Sequence, residues 1–538
     1  MRKERLTLVL EASALIIYIV SISITIAYHE PWFDEAQAWL IARDNNIFDI
    51  LWNILRYEGH TPLWYIILYI PAHMGVTFEF GLKLTSVVFI SLAAFILVKK
   101  SPFPLIIRLL LPFTYFLFYQ YGVISRSYSM LSAILWIVAA TFPSRNQKPL
   151  KFSLLLALLG GVTVHGMLIA FGIAAAWFVE IVSEHRTIRR SFSANVSLIV
   201  KDRRFHTLLL LAFFNIVYAA ILWPMPDKFT PLQSNKIDPG FLLFKLFIAP
   251  LNAVVSDVWP GISGHSSDML PLLLFIGIIL TAVFFIWALY RGVFLYVVLP
   301  YVFTALFMSF IYFSMNHTGI YTLMIIFGLW LSLGGGRPFS TPEWIHKASM
   351  FFSNKTIRTI ITACTAYILL LQAYWSASAS VNDIKMPYAA AGNLASFIQD
   401  NGIEGRKIFN CYNISNDKLS YSMQDAAILA YFPKNIFYNH NEGKENVSYV
   451  THHLWKDEDA ITYLKDTGAP EFVIEHKSPI SFYSSVLTPR DYIPVASFQS
   501  YNMWKNRTSF RESRLYIRKD LLPQFPNLMP VEDNMPGG

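Results

Sequence analysis

The chain has 538 residues, 54% of them hydrophobic and only 14% charged, with mean hydropathy +0.43 and formal net charge +8. Such a composition leaves too little polar surface for a soluble globule, so the apolar excess faces lipid. Lys and Arg gather in alternate loops, which argues against a nucleic-acid-binding role, and Cys364 and Cys411 make neither a Cys-x-x-Cys motif nor a natural disulfide.

In chain order, an apolar run from Leu6 to about Ala27 follows Met1-Arg2-Lys3-Glu4-Arg5 and is long enough to be a retained first helix. About eleven spans are predicted, at 6–27, 81–98, 103–120, 128–142, 151–164, 166–183, 206–223, 269–290, 293–314, 318–334 and 357–376. Basic residues mark every second loop: Lys99-Lys100, then Arg145 with Lys148, then Arg186 to Arg204, then Arg291, then Arg337 to Arg358. With the N-terminus cytoplasmic, those loops lie inside and the acidic first loop (28–80) lies outside.

That first loop is the most informative stretch. It carries Pro31-Trp32-Phe33-Asp34-Glu35 and, some twenty-five residues on, Glu58-Gly59-His60-Thr61-Pro62-Leu63-Trp64-Tyr65. Ionisable groups this close to hydrocarbon are costly, which makes them functional candidates. Two amphipathic helices, Phe33–Arg43 and Phe48–Leu55, are expected to lie on the interface and hold Asp34 at head-group level. Pro62–Met74 is apolar but too short to span, and reads as a re-entrant or interfacial helix, with a tilted short span as the alternative. A second external loop (224–268) contains a similar segment, Phe241–Trp259, and its length suggests a lid. From about Ser378 the hydropathy falls. Helical stretches at Ala390–Asn401 and Asp457–Asp466 alternate with β-rich ones at Lys407–Tyr412, Asn435–Tyr438, Glu471–Glu475 and Leu515–Arg518. The predicted organisation is a transmembrane domain (1–377) followed by an extracytoplasmic α/β domain (378–538).

Phe33-Asp34-Glu35 and Gly59-His60-Thr61-Pro62-Leu63-Trp64-Tyr65, in this order behind a first span, resemble the C-type (GT-C) membrane glycosyltransferases. The resemblance is to the group of protein O-mannosyltransferases and aminoarabinose transferases that use polyprenyl-phosphate sugars. It covers residues 1–180 best and 206–376 in architecture only; Thr61 departs from the Pro usual there. It implies a polytopic GT-C-like fold in the plasma (inner) membrane. It also implies a polyprenyl-phosphate-linked sugar as donor partner, and an extracytoplasmic lipid, glycan or protein as acceptor.

Chemistry gives its own reason for these residues. Moving a sugar from a lipid phosphate to a hydroxyl or amine needs a base for the acceptor proton and donors to steady the departing phosphate. Asp34 suits the first task; Glu35, about 100° round the helix, is expected to orient it, bind a cation or cap the helix start. Both acids could instead be a solvated helix N-terminus. For the phosphate, Arg126 and Tyr128 lie in Ser125-Arg126-Ser127-Tyr128 at the second external turn, resembling an Arg-x-Tyr of bacterial family members. His60, His165 in Gly160-Gly161-Val162-Thr163-Val164-His165, and His317 in Asn316-His317-Thr318 fall on the same predicted side. Each could instead be an interfacial anchor. The sequence assigns no cofactor; a divalent cation held by His29, His60 and Asp34 stays open, although their spacing matches no standard metal motif. His452-His453 and Asp457-Glu458-Asp459 read as a helix cap and a solvated face, and Gly334-Gly335-Gly336 as a helix breaker. A flippase for lipid-linked saccharide and a polysaccharide polymerase are the alternatives; neither accounts for the acidic pair directly behind the first span.

Overall fold

The structure is a computed structural model that describes residues 2–185, 192–223, 239–255, 270–334, 354–411, 413–415, 418–420, 424–440, 447–451, 464–476 and 489–531. Every predicted span coincides with a helical segment. Seven helices are long and apolar enough to cross a membrane: Glu4–Tyr28, Phe78–Lys100, Leu105–Val123, Val164–His185, Arg203–Leu222, Pro271–Tyr290 and Lys355–Lys385. The other four expected spans are the shorter helices Tyr128–Thr141, Pro149–Gly160, Phe294–Phe310 and Thr318–Leu333, so the count of eleven is not reached by length alone. Exposed Ile16, Ile17, Val20, Phe213, Ile216, Phe275, Leu280 and Val283 make apolar faces that only lipid would accept. The chain is a multi-pass membrane protein.

Glycines set the closest helix crossings. A Cβ at Gly172 would stand 2.5 Å from the backbone nitrogen of Pro300, so Val164–His185 packs directly on Phe294–Phe310. Ion pairs gather at one end of the bundle: Glu11 meets Lys99 at 2.8 Å and Arg108 at 2.8 Å, and Glu180 meets Arg145 at 2.7 Å. Lys99 ends the helix that begins at Phe78. The opposite end of that helix packs against the first loop, where Gly81 admits the ring of Trp39.

The first loop departs from expectation. The helix Phe33–Asp44 forms as predicted, but it does not lie on an interface. Phe33 and every residue from Glu35 to Ala42 are buried, between Leu63–His73, Phe78–Lys100 and the C-terminal helix Gln424–Leu429. The second helix runs from Ile47 to Glu58 with a π-helical turn at Ile50–Ile54, and Gly59, at φ 64°, ends it. The short apolar segment is the eleven-residue helix Leu63–His73, with Pro71 inside its last turn.

Beyond the last long helix, Lys355–Lys385, the tail folds into helix Ala391–Asp400 and a four-stranded sheet of order β1-β4-β6-β5. Its strands are β1 (Ile408–Cys411), β4 (Phe472–Glu475), β5 (Tyr492–Trp504) and β6 (Arg507–Arg518); β2 (Asn413–Ser415) and β3 (Lys418–Ser420) make a separate ladder. β1 and β4 run parallel, and β6 is antiparallel to both its neighbours. The stretch expected as a strand at 435–438 is not one: only Phe437 bridges to Ile408. β5 was not anticipated, because Pro494 interrupts its pattern; a register shift at Pro494/Ala496 accommodates the proline. The β5–β6 hairpin turns at Lys505 (φ 55°) and reaches into the bundle, where Trp504 packs on Tyr115 and Phe116. His452-His453, Asp457-Glu458-Asp459 and Gly335-Gly336 lie outside the described residues.

Candidate active site

Helix Phe33–Asp44 presents two adjacent acids to two adjacent residues of the turn after the π-helix Phe116–Val123. Asp34 Oδ2 lies 2.7 Å from Arg126 Nη1. Next to it, the Ser125 amide donates to Glu35 Oε1. Glu35 also accepts from the Trp32 amide at 3.1 Å, closing the helix start as a cap, and meets His29 Nε2 at 3.1 Å. Glu35 is fully buried, so it is no solvated helix end. Burial pushes the Asp34 carboxyl up, while the Arg126 guanidinium pulls it down.

The second knot folds onto the same place. The Leu63 amide donates to the Gly161 carbonyl at 2.7 Å, which sets the His60 turn beside the turn leading to His165. His165 and His317 are buried with ring centres 4.6 Å apart, and Tyr128 lies edge-on to His317 at 6.3 Å. Tyr121, stacked on Tyr128 at 4.7 Å, holds the carbonyl of Asn316 at 2.9 Å and so anchors the turn carrying His317. The Arg126 guanidinium rests over the Tyr128 ring at 5.4 Å. Burial, with the positive field of Arg126 and His165, lowers His60 to about 3, and burial drives His317 well below its ordinary value. Both imidazoles are therefore neutral at physiological pH. His317 Nδ1 accepts from the Ser314 amide at 3.0 Å, which leaves Nε2 carrying the proton as a donor.

All seven predicted residues thus converge. Among the described residues, His165 Nε2, Tyr128 Oη and Thr61 Oγ1 at this place are buried polar atoms with no hydrogen-bond partner. Buried polar groups are seldom left so, and a cluster of them marks a place where a polar ligand fits. Among the described residues, no three His, Cys, Asp or Glu side chains are set to hold a metal ion.

Three residues here, Glu58, Lys245 and Asp383, have no role assigned in the sequence reading, and a fourth, His29, is read there only as a possible cation ligand. Glu58, beside the His60 turn, is raised to about 7 by burial, with Gln37 donating to it at 2.9 Å; the charges of Asp34 and Arg126 also act on it. Lys245 is buried on the π-helix Phe244–Ile248, its ammonium over the Phe313 ring; its charge reaches His317. His29 and Asp383 complete the support of Glu35. The π-helical turns at Ile50–Ile54, Phe116–Val123 and Phe244–Ile248 each lie on a segment delivering one of these groups, a placement common for functional residues.

No family model and no curated protein matches the chain. Among solved structures it is similar to ArnT from Cupriavidus metallidurans bound to undecaprenyl phosphate, at 12% identity and TM-score 0.43, over 94% of this chain and 97% of that one.

Proposed function

We propose that the chain is a membrane glycosyltransferase of the GT-C type. It takes a sugar from a polyprenyl-phosphate donor and attaches it to an acceptor hydroxyl or amine outside the cytoplasm. One observation carries this reading: the half-buried Asp34–Arg126 pair is ringed by His60, His165, His317 and Tyr128. That arrangement offers one acid and several neutral or cationic donors at one end of an apolar bundle, opposite the Glu11 and Glu180 ion pairs.

The chemistry follows from the charges. Before donor binds, Arg126 pairs with Asp34 and opposes the rise that burial gives its carboxyl. A phosphate competes for the guanidinium, which grips phosphate oxygens at least as well as a carboxylate. Arg126 then steadies the leaving phosphate with His60 and His317 as neutral N–H donors. Asp34, relieved of its partner and lifted by burial, becomes basic enough to take the acceptor proton. The acceptor oxygen forms a bond to the anomeric carbon as the bond to phosphate oxygen breaks on the opposite face, so the product is inverted. The first loop, the second external loop and the tail domain all lie on the extracytoplasmic side in this reading. The N-terminus and the basic loops are cytoplasmic, in the plasma membrane.

The test uses purified protein in nanodiscs with a panel of radiolabelled undecaprenyl-phosphate hexoses and pentoses. Sugar release from the parent and its loss in Asp34→Asn, at equal protein levels, are the expected results. Intact glycosidic bonds with the parent, or undiminished release by Asp34→Asn, would overturn the proposal.

A further inference from the structure

Behind Glu35 lies a chain of buried groups that reaches the far end of the sequence. His29 is fully buried, with Nε2 on Glu35 at 3.1 Å and Nδ1 on Asp383 Oδ2 at 2.7 Å. Asp383 sits near the end of the last long helix, itself buried, and its other oxygen accepts from the Tyr119 hydroxyl at 2.8 Å. Tyr119 belongs to the π-helix that leads into Ser125 and Arg126. The ring of Tyr388 covers His29 at 4.6 Å. Among the described residues neither Glu35 nor Asp383 has a Lys or Arg within ion-pair distance, so one imidazole serves two buried carboxylates.

A buried carboxylate without a countercharge is expensive. The two acids outweigh the burial that would otherwise discharge His29 and raise it to about 10, so it is an imidazolium at any physiological pH. Its two N–H groups then point in fixed, opposed directions, one to each acid.

Resting on the function proposed above, we infer that His29 is a positioning residue, held by Asp383, that sets the distance between Asp34 and Arg126. Asp34 and Glu35 are neighbours on one helix; Arg126 and Ser125 are neighbours on one turn. The Glu35–Ser125 bond therefore fixes the register in which Asp34 meets Arg126. His29 fixes Glu35 from behind, and Asp383 fixes His29. Tyr119 ties the same Asp383 to the segment carrying Ser125, closing the ring. Without His29 in place, Glu35 can turn, the helix start loosens and the base loses its alignment while the phosphate donors keep theirs.

Two readouts on full-length protein in nanodiscs test this. The first is independent of sugar transfer: a ¹⁵N spectrum of histidine-labelled protein at pH 8, with the His29 signal assigned by its loss in His29→Gln. Both ring nitrogens should be protonated, and a neutral imidazole overturns the inference. The second compares Asp383→Asn, which keeps the shape and removes the charge, with the parent. Turnover of a labelled undecaprenyl-phosphate sugar that the parent uses should fall about 10- to 100-fold, as when the group orienting a reacting residue is lost. Affinity for undecaprenyl phosphate should stay within about twofold. Parental turnover in Asp383→Asn overturns the inference, as does an equal loss of undecaprenyl phosphate affinity. Should Asp383→Asn fail to fold, Tyr119→Phe removes a single O–H from the same carboxylate; turnover should fall several-fold, and parental turnover overturns the inference. A parent that transfers no sugar at all refutes the proposed function, whereas the histidine spectrum stands apart from it.

Discussion

Arg126→Gln removes the cation that keeps Asp34 ionised. At 2.7 Å the pair's gross attraction is about 6 kcal/mol at an effective dielectric constant of about 20. Without that cation, nothing of comparable strength opposes the rise that burial gives the Asp34 carboxyl, so its pKa moves up. The sign is definite: a base with a raised pKa is protonated over more of the pH range, so activity at neutral pH falls and returns as pH increases. The assay is kcat/KM for a labelled undecaprenyl-phosphate sugar from pH 5 to 10, since kcat/KM reports the free enzyme's groups. The acid limb should move to higher pH, with a plateau lowered further by the lost phosphate contact. An acid limb that stays where it is in the parent, whatever the plateau does, would refute the claim that Arg126 sets the ionisation of Asp34.

Glu58→Gln should change how stability depends on pH. The folded carboxyl is raised to about 7, so the fold binds a proton that the unfolded chain releases, and stability drops between about pH 4.5 and 7. The variant should lose that decline, which amounts to at most about 3 kcal/mol; matching Tm-versus-pH curves for parent and variant would contradict it. Gly172→Ala puts a methyl 2.5 Å from the Pro300 nitrogen, a backbone clash that should cost about 1–3 kcal/mol and be seen as a lower Tm in detergent; an unchanged Tm would mean the two helices can part freely. Glu30 accepts from the amides of Ala389 (3.2 Å), Ala390 (2.6 Å) and Gly392, capping helix Ala391–Asp400. Glu30→Ala should cost about 1–2 kcal/mol and speed proteolysis near residues 386–392; parental cleavage there would show that the cap is idle.

Much of this was readable beforehand, for identifiable reasons. Long apolar runs betray helices whatever their neighbours do, so all eleven expected spans coincide with helical segments. The acidic pair and the His60 knot stood out because polar groups are conspicuous against apolar sequence. What stayed hidden depends on distant partners. Asp383 looked like one more acid after a span, yet its partner His29 is 354 residues away. Helix Phe33–Asp44 read as interfacial because its two flanks differ in polarity. Its polar flank is instead buried against the tail domain, with Gln37 and Arg43 bonded to that domain's backbone. The π-helical turns leave no mark in a pattern of period 3.6, and so the segments that deliver Lys245 and Arg126 could not be aimed from sequence.

The way the tail grips that helix has a consequence for how each part can change. The Gln37 amide exchanges two hydrogen bonds with the main chain of Val450, both 2.9 Å; Arg43 donates to the Phe432 carbonyl at 2.8 Å, and the Ser448 amide donates to Asp44 at 3.2 Å. Side chains on the loop hold peptide groups on the tail, hardly ever the reverse. For this grip residues 432, 448 and 450 supply only peptide groups, although Phe432 and Val450 are also core residues whose apolar bulk must be kept, whereas Gln37, Arg43 and Asp44 are constrained by the bonds their side chains make. The two sides of the contact thus tolerate different change: the tail answers for its path and its apolar bulk, the loop for the identity of three polar side chains.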